Sequence, residues 1–437
     1  MLDLKFIRDN PDLVKQACAA KNAKGVDIDG ILRLDGEKRK LQTEGEALKA
    51  ELNKGSQEVG RLKKEKKDAE AGVRMTANRE LGDRIKGFEE KLRAVDADLQ
   101  AALAWVPNIP AKDVPIATDP SGNRTVRTWG KRAAFDFTPK AHWDLATELS
   151  LIDFEAGTRV AGSNFIVWTG AGALLQRALI NLMLDLHTRD HGYTEVSPPA
   201  LANAASMFGT GQLPKMEDDM YKIDRDTLYP IPTAEVPVTN LHREQTLAAK
   251  DLPRKYVAYT PCFRREAGAY GKDTRGLLRV HQFDKVELVK LVHPSTTYDE
   301  LELLVKNAET VLQWLGLEYR VVLMCSGDMS FAAAKAYDLE AYAPGVDRWL
   351  EVSSCSTFED FQARRMNLRF RDADGKVKHV HTMNGSGTAL PRVVACLLET
   401  YQRKDGSVEI PDCLRPYMGG LTELTPVKSQ TTNPKSQ

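Results

Sequence analysis

Apolar residues follow two different rules along the chain. Leu34, Leu41 and Leu48 recur every seven residues, with Leu52 and Val59 continuing the stripe. Leu81, Ile85, Phe88, Leu92, Val95, Leu99 and Ala102 alternate spacings of four and three. Both series keep one side of a helix apolar, as the seam of a coiled coil requires. Between them, Arg61 to Val73 loses the period and contains Gly72, so the pattern predicts a reversal there and an antiparallel helical hairpin over about 30–103. At 1.5 Å per residue, two helices of ~35 residues would reach roughly 50 Å. From Phe6 to Trp105 the one intervening aromatic residue is Phe88, too few for an ordinary globular core. Residues 1–106 therefore read as an N-terminal domain built on this arm.

Pro107, Pro110, Pro115 and Pro120, with Gly122, break helix continuation over 107–123, which reads as a linker. From 124 to about 420, short β-branched and aromatic runs alternate with helical patterns such as Ala173 to Leu186. The runs starting at Tyr256 and Lys285 alternate faces, as in an antiparallel sheet with one specialised surface. The body is expected to be α+β. Thr, Lys, Ser, Gln and Asn dominate after Gly420, so 421–437 is expected to be a disordered tail.

Composition narrows the function classes. The 437 residues allow two or three domains. With 42% hydrophobic and 28% charged residues they exclude collagenous and disulfide-scaffold proteins. Lys+Arg and Asp+Glu number 61 each, so net charge names no partner, although a local basic strip could. No apolar run approaches the ~18 residues of a membrane span. Six cysteines without a CxxC pair and an immediately charged, patterned N-terminus point to a reducing, cytoplasmic setting.

The usual nucleotide loops are missing: there is no GxxxxGK[ST], and Gly170-Ala-Gly172 and Gly385-Ser-Gly387 each lack a third glycine. His187 and His191 have the spacing of a metalloprotease helix but lack its glutamate, so a surface or capping role is expected. His379 and His381 have no evident partner ligand.

The informative segment runs from Cys262 to Val289. If its flanks are strands, Arg264 and Glu266 share a face, Arg265 lies opposite, and Arg279, Phe283 and Glu287 lie together. Arginine forks, an aromatic ring and carboxylates joined by a glycine-rich loop suit a nucleotide bound in the open; a surface strand pair laced with ion pairs is the alternative. A second candidate is Asn384 to Arg392, a loop entering a helix whose Leu390, Val393, Val394, Leu397, Leu398 and Tyr401 form an apolar stripe that leaves Arg392 outside it. By itself this is compatible with an ordinary helix start. The basic stretch Arg61, Lys63, Lys64, Lys66, Lys67 is compatible with a solvated spacer, a dimerisation zipper or a grip on a polyanion.

Taken in order, His191-Gly-Tyr-Thr-Glu-Val-Ser-Pro-Pro199, Phe263-Arg-Arg-Glu266 with Arg279-Val-His-Gln-Phe283, and Gly385-Ser-Gly-Thr-Ala-Leu-Pro-Arg392 resemble the three motifs of the class II aminoacyl-tRNA synthetases. Phe137-Thr-Pro-Lys-Ala-His-Trp-Asp, Thr233-Ala-Glu-Val-Pro, Glu351-Val-Ser-Ser and the helical hairpin narrow the resemblance to the bacterial-type seryl-tRNA synthetases, from residue 1 to about 420.

The resemblance implies an antiparallel-sheet class II catalytic domain, ATP as substrate, Mg²⁺, L-serine, and transfer to tRNA(Ser) and, where present, tRNA(Sec). It also implies a cytoplasmic homodimer with the segment around Pro199 at the interface and no membrane association. Arg264, Arg392 and Glu351 are the implied catalytic residues. ATP would be held by Arg264, Arg265, Glu266, Arg279, Val280, Phe283, Glu351, Val352, Ser353, Ser354 and Arg392, and serine by Thr233, Ala234, Glu235, Arg264, Glu287 and Ser386. Glu351 and Ser354 would hold the metal, and Arg61, Lys63, Lys64, Lys66 and Lys67 the tRNA.

Three departures stand out. Arg265 replaces a small residue and by parity points away from the nucleotide. Thr388 stands where an aliphatic residue is commoner. Choosing Ser354 over Ser353 beside Glu351 requires a bend in the strand. A non-catalytic RNA-binding scaffold of the same fold would not need these charged groups. A paralogue that activates an amino acid for a carrier protein would not need the hairpin, whereas an isoform that resists a serine-mimicking antibiotic would keep it and stays open.

Overall fold

The N-terminal helices begin where side chains can take over their orphan N–H groups. The Asp3 carboxylate accepts from the backbone of Lys5 and Phe6 to start α1 (Leu4–Asp9), and Pro11 opens α2 (Pro11–Ala20). Asp27 accepts from the Gly30 N–H at 2.9 Å to start α3 (Ile28–Lys64). α3 and α4 (Asp68–Leu103), of 37 and 36 residues, pack as the expected hairpin. Leu48, Leu81 and Ile85 meet Leu52 and Phe88 along the seam. Lys38–Asp96 and Lys49–Glu89 pairs at 2.6 and 2.8 Å flank it.

The reversal falls within Arg61–Val73 as expected, but at Lys66 and not at Gly72, which lies inside α4. α3 ends at Glu65, Lys66 takes the left-handed conformation at φ 57°, and the N–H groups of Lys66 and Lys67 donate to the carbonyls of Lys63 and Leu62. This is a Schellman cap with a lysine where glycine is usual. It can form six residues before Gly72 because two backbone hydrogen bonds offset the steric cost of a left-handed lysine.

The computed structural model describes residues 1–267 and 275–426. The expected glycine-rich loop falls largely on 268–274 and most of the expected disordered tail on 427–437, outside the described residues. Residues 421–426 do not continue that tail: Glu423–Leu424 pairs with Val408–Glu409, and Leu424 is buried.

One compact unit covers Met1–Pro107, and a second begins at Asn108. The proline-rich segment belongs to the second unit and is strapped to it. The Asn108 side chain donates to the carbonyls of Ala332 and Phe358 at 2.9 Å each, and the Ser326 and Gly327 N–H groups donate to Pro115 and Ala117.

The second unit is organised on an eight-stranded sheet. In chain order its strands are β1 (Arg124–Trp129), β2 (Thr194–Glu195), β3 (Arg254–Phe263), β4 (Gln282–Val292), β5 (Tyr319–Leu323), β6 (Lys335–Ala343), β7 (Arg348–Glu359) and β8 (His381–Ala389). Their order in space is β1-β5-β6-β7-β8-β4-β3-β2, with antiparallel neighbours except the β3/β2 pair at one edge. Three helices, α5 (Gly170–Arg189), α6 (Thr297–Trp314) and α7 (Leu390–Tyr401), pack on the sheet. The core they share takes Val286, Leu288 and Val292 from β4, Leu339 and Ala341 from β6, and Leu350, Val352 and Cys355 from β7. Period two then sends the intervening residues of these strands to the other face.

The arm offers a test of its packing. Helix-interior glycine normally costs about 0.5–1 kcal/mol against alanine. A Cβ at Gly45 or Gly82 would meet nothing within 4 Å, whereas one at Gly55 would lie 2.1 Å from Asn78 Oδ1 across the hairpin. Gly45→Ala and Gly82→Ala should each raise the urea midpoint of the helical signal, and Gly55→Ala should not. An equal gain at Gly55 would show that the helices do not close there.

Candidate active site

On the face of β4 opposite the helices, Phe283, Lys285 and Glu287 follow one another at period two. Lys285 and Glu287 are buried and form an ion pair. Lys285 Nζ also donates to Thr233 Oγ1 at 2.8 Å, and the Thr233 hydroxyl donates to Glu287 Oε2 at 3.3 Å. From β8, Asn384 Nδ2 donates to Glu287 Oε1 at 3.0 Å, and Ser386 lies directly across from Glu287 in the register. Glu235, in the short helix after Thr233 and Ala234, is buried and accepts from Gln362 Nε2 at 2.6 Å. Gln362 is itself fixed by donation to the Thr210 carbonyl and by the Thr382 hydroxyl. Burial, and then the Glu287 carboxylate, push Glu235 up to about 7. The result is a small, buried, hydrogen-bonded polar pocket with two acids and one lysine.

Beside it lies a more open surface. The Arg264 guanidinium stacks on Phe283 at 5.2 Å and donates from Nε to the Pro232 carbonyl, next to Thr233. The backbone of Arg264 pairs with His281 across the strand ends. Beyond Phe263 the strand stops: Glu266 has φ 51° and Arg279 precedes β4, so strand parity does not place them. They meet through a 2.9 Å ion pair. Arg265 turns aside, donating to the Asp218 carbonyl, and does not join Arg264. Ala234, Val280 and Val352 are buried apolar residues whose side chains bring no polar group to the site.

At the far end Arg392, in the first turn of α7, donates Nη1 to the Glu351 carbonyl at 2.9 Å and lies 3.3 Å from its carboxylate. Its Nε donates to the Leu278 carbonyl. The bend needed to pair Glu351 with Ser354 is a bulge. Across the β6/β7 pair Glu351 faces Glu340 and Ser354 faces Asp338, with the register slipping between them. Ser353 is buried with its hydroxyl donated to the Ser386 carbonyl at 2.6 Å. Glu351, Ser354 and Asp338 thus share one face. Asp338 is buried, its Oδ1 has no hydrogen-bond partner, and burial followed by the Glu351 charge raises its pKa well above the carboxylate range.

Lys285, Asn384, Gln362 and Asp338 were not singled out from the sequence. Lys285 lies between Phe283 and Glu287 and Asn384 two before Ser386, so the same parity reaches both. Gln362 and Asp338 carry no local signal. Thr388 is buried with its hydroxyl donated to Met183 Sδ at 3.2 Å. His187 is buried rather than at the surface, its ring 2.9 Å from His191 and held down to about 3, mainly by burial. The six cysteines are free thiols. Among the described residues no group of three His, Cys, Asp or Glu could enclose a metal, and no helix is long and apolar enough to cross a membrane.

Comparisons with known proteins agree with this geometry. Residues 1–110 match the family described as the seryl-tRNA synthetase N-terminal domain, and residues 219–401 the class II tRNA synthetase core domain (G, H, P, S and T). A serine–tRNA ligase of Geobacter sulfurreducens is 52% identical over 97% of this chain and 100% of its own length. The crystal structure of a seryl-tRNA synthetase from Pyrococcus horikoshii complexed with ATP superposes with a TM-score of 0.91 at 37% identity, covering 98% of this chain and 100% of that one. The cytoplasmic serine–tRNA ligase of Naegleria fowleri in complex with AMP gives 0.86 at 28% identity, covering 98% and 99%.

The raised pKa of Glu235 has a signed consequence. A carboxyl that titrates near 7 when folded and near 4.5 when unfolded costs stability that grows as pH rises through that window. Glu235→Gln should therefore be stabilised relative to the parent by about 1–3 kcal/mol at pH 8 and little at pH 4.5. A pH-independent difference between the two proteins would show that Glu235 is not held as a buried acid.

Proposed function

Because the chain belongs to the seryl-tRNA synthetases, we propose that its buried polar pocket selects L-serine and that the arginine-flanked surface beside it holds ATP. The chain is a serine–tRNA ligase: it activates serine with ATP to seryl-adenylate and transfers the seryl group to the 3′ end of tRNA. The observation that carries the residue assignments is the continuity of the pocket, through Arg264, with the surface that ends at Arg392.

Attack of a serine carboxylate on the α-phosphorus requires no protein nucleophile. The work is positioning and compensation of charge. Arg264 lies between pocket and surface, where one guanidinium can hold the serine carboxylate and the α-phosphate together. Phe283 offers its ring to the adenine. The Glu266 carboxylate, fixed by Arg279, accepts from the adenine amino group. Arg392 takes the γ-phosphate in exchange for its contact with Glu351, and Arg279 faces the triphosphate. Thr233, Glu235, Glu287 and Ser386, with Asn384, line the serine pocket. Such a site rejects alanine because hydrogen-bonding groups left unpaired in a buried pocket cost far more than a missing methylene.

The set Glu351, Ser354 and Asp338 fits a divalent cation: it puts two carboxyl groups and a hydroxyl on one face, one carboxyl oxygen of Asp338 being buried without a hydrogen-bond partner. Mg²⁺ commonly binds through one or two carboxylates and substrate phosphates, so no protein cage is needed. Bound at Glu351 and Ser354, it would neutralise triphosphate charge and polarise the α-phosphate.

The N-terminal unit, residues 1–106, is assigned to tRNA(Ser), and to tRNA(Sec) where that exists, through phosphate contacts from Arg61, Lys63, Lys64, Lys66 and Lys67. In the hairpin Glu65 pairs with Lys67 and Arg61, while Lys63, Lys64 and Lys66 make no ion pair among the described residues. Residues 124–420 are assigned to catalysis. We place the enzyme in the cytoplasm as a homodimer, with the segment around Pro199 at the interface.

Purified protein should support ATP–pyrophosphate exchange with serine and with none of the other nineteen amino acids. Arg264→Ala should lower that exchange by at least about a hundredfold with an unchanged circular dichroism spectrum; retained exchange would sink the assignment of Arg264. Neutralising the five cations of the arm should weaken tRNA binding and flatten its salt dependence by about one unit of slope per phosphate contact, leaving exchange untouched. An unchanged slope would make the arm a spacer.

A further inference from the structure

Phe137 to Asp144 was distinctive in the sequence, yet none of the roles above uses it. Its histidine sits at a buried junction. His142 and Glu399 are both fully buried. Glu399 Oε1 accepts from the His142 backbone N–H at 2.9 Å and lies 2.7 Å from His142 Nδ1. Its Oε2 accepts from the N–H groups of Gly345 at 2.7 Å and Val346 at 3.1 Å. A carboxylate oxygen can only accept here, so Nδ1 carries the ring proton. Nε2 is then free to accept, and it receives the Leu277 N–H at 3.2 Å. Gly276, at φ 73°, allows that approach: a Cβ there would lie 2.5 Å from His142 Nε2.

Each partner leads to a residue assigned to ATP. Glu399 lies on α7, which carries Arg392 in its first turn. Gly345 and Val346 form the turn into β7, which carries Glu351. Leu277 precedes Leu278, whose carbonyl accepts from Arg392, and Arg279, which pairs with Glu266. The three elements that bring charge to the triphosphate side of the site therefore converge on one histidine–carboxylate pair with no exposed surface.

We infer that His142 and Glu399 are positioning residues that clamp these elements, so that Arg279, Arg392 and Glu351 stand ready for ATP before it binds. The pair touches neither substrate. Its effect belongs to the ATP side because the serine pocket is held by a separate network through Gln362 and Lys285. The inference rests on the assignment of Arg279 and Arg392 to ATP.

Serine-dependent ATP–pyrophosphate exchange on the full chain tests it with His142→Ala, His142→Gln, Gly276→Ala and, as a reference, Arg392→Ala. Displacement of about an ångström is expected to raise KM for ATP on the order of tenfold in His142→Ala and Gly276→Ala, with KM for serine unchanged. In His142→Gln the amide oxygen can still accept from Leu277, so much of the ATP affinity returns. Gly276→Ala disturbs the ring without removing the bonds to Glu399, and it decides the matter if His142→Ala does not fold. Unchanged KM for ATP in folded variants, or equal rises for both substrates, would overturn the inference while Arg392→Ala still raised KM for ATP. If Arg392→Ala also left KM for ATP unchanged, the ATP assignment would fall and the clamp with it.

Discussion

A buried carboxylate cannot stand alone, and the site is organised by that constraint. Glu287 is 1% exposed. An uncompensated charge at that depth would cost several kcal/mol. Every potential partner of Glu287 is a residue the chemistry needs or one that holds such a residue: Lys285 two positions earlier, the Thr233 hydroxyl, and Asn384 across the sheet. The compensation is incomplete. Burial first, and the nearby Glu287 carboxylate second, make Glu235 bind a proton more tightly. A pocket with two acids, hydroxyls and an amide is complementary to a small hydroxylated ammonium compound, as the proposed ligand serine is. The same groups that hold the buried carboxylates are thus the ones the proposed ligand would meet.

The sheet makes this possible by alternation, and two irregularities correct the alternation where it would fail. In a regular strand Glu351 and Ser354 would face opposite sides. The slip around Val352 turns the second half of β7 over, so Val352 and Cys355 both remain in the core while Glu351 and Ser354 share the polar face. A second slip, around Gly387, lies between Ser386, which faces Glu287, and the start of α7 with Arg392. Bulges near sites re-aim side chains in this way at the cost of a local break in the ladder. Here they allow one sheet to seal a helix-packed core and present charge on its other side.

What could be read from the sequence follows from the same geometry. Parity holds from Phe283 to Glu287 because β4 is regular there, and it would equally have reached Lys285 and Asn384. It does not apply to Glu266 and Arg279, which lie beyond the strand ends, and it would select Ser353 over Ser354 because a bulge leaves no mark in a short polar run. Gln362, Asp338 and Glu399 act across more than a hundred residues of chain or through burial alone. No local pattern marks them. The proline-rich segment read as a linker for the opposite reason: its local signal against helix is strong, but its backbone groups find partners in residues two hundred positions away. Proline settles what a segment cannot be and leaves open what it binds.

The arm was legible in its helices and in the stretch that holds its turn, and only the residue that makes the turn was not. A heptad stripe is a one-dimensional signal that needs no distant partner, so Leu48, Leu81 and Ile85 could be placed from spacing alone. Glycine is the cheap way to make the left-handed cap that ends a helix, and Gly72 lay close by, yet the chain turns on Lys66. A non-glycine residue there costs of order 1 kcal/mol, and glycine would have made the hairpin more stable. A lysine at the apex between Lys64 and Lys67 adds charge at the point of the arm farthest along its helices. The two backbone hydrogen bonds of the cap offset that strain, and what lysine adds in place of glycine is a cation. The turn therefore places one more cation beside Lys64 and Lys67, where the proposed contacts with tRNA phosphates would use it.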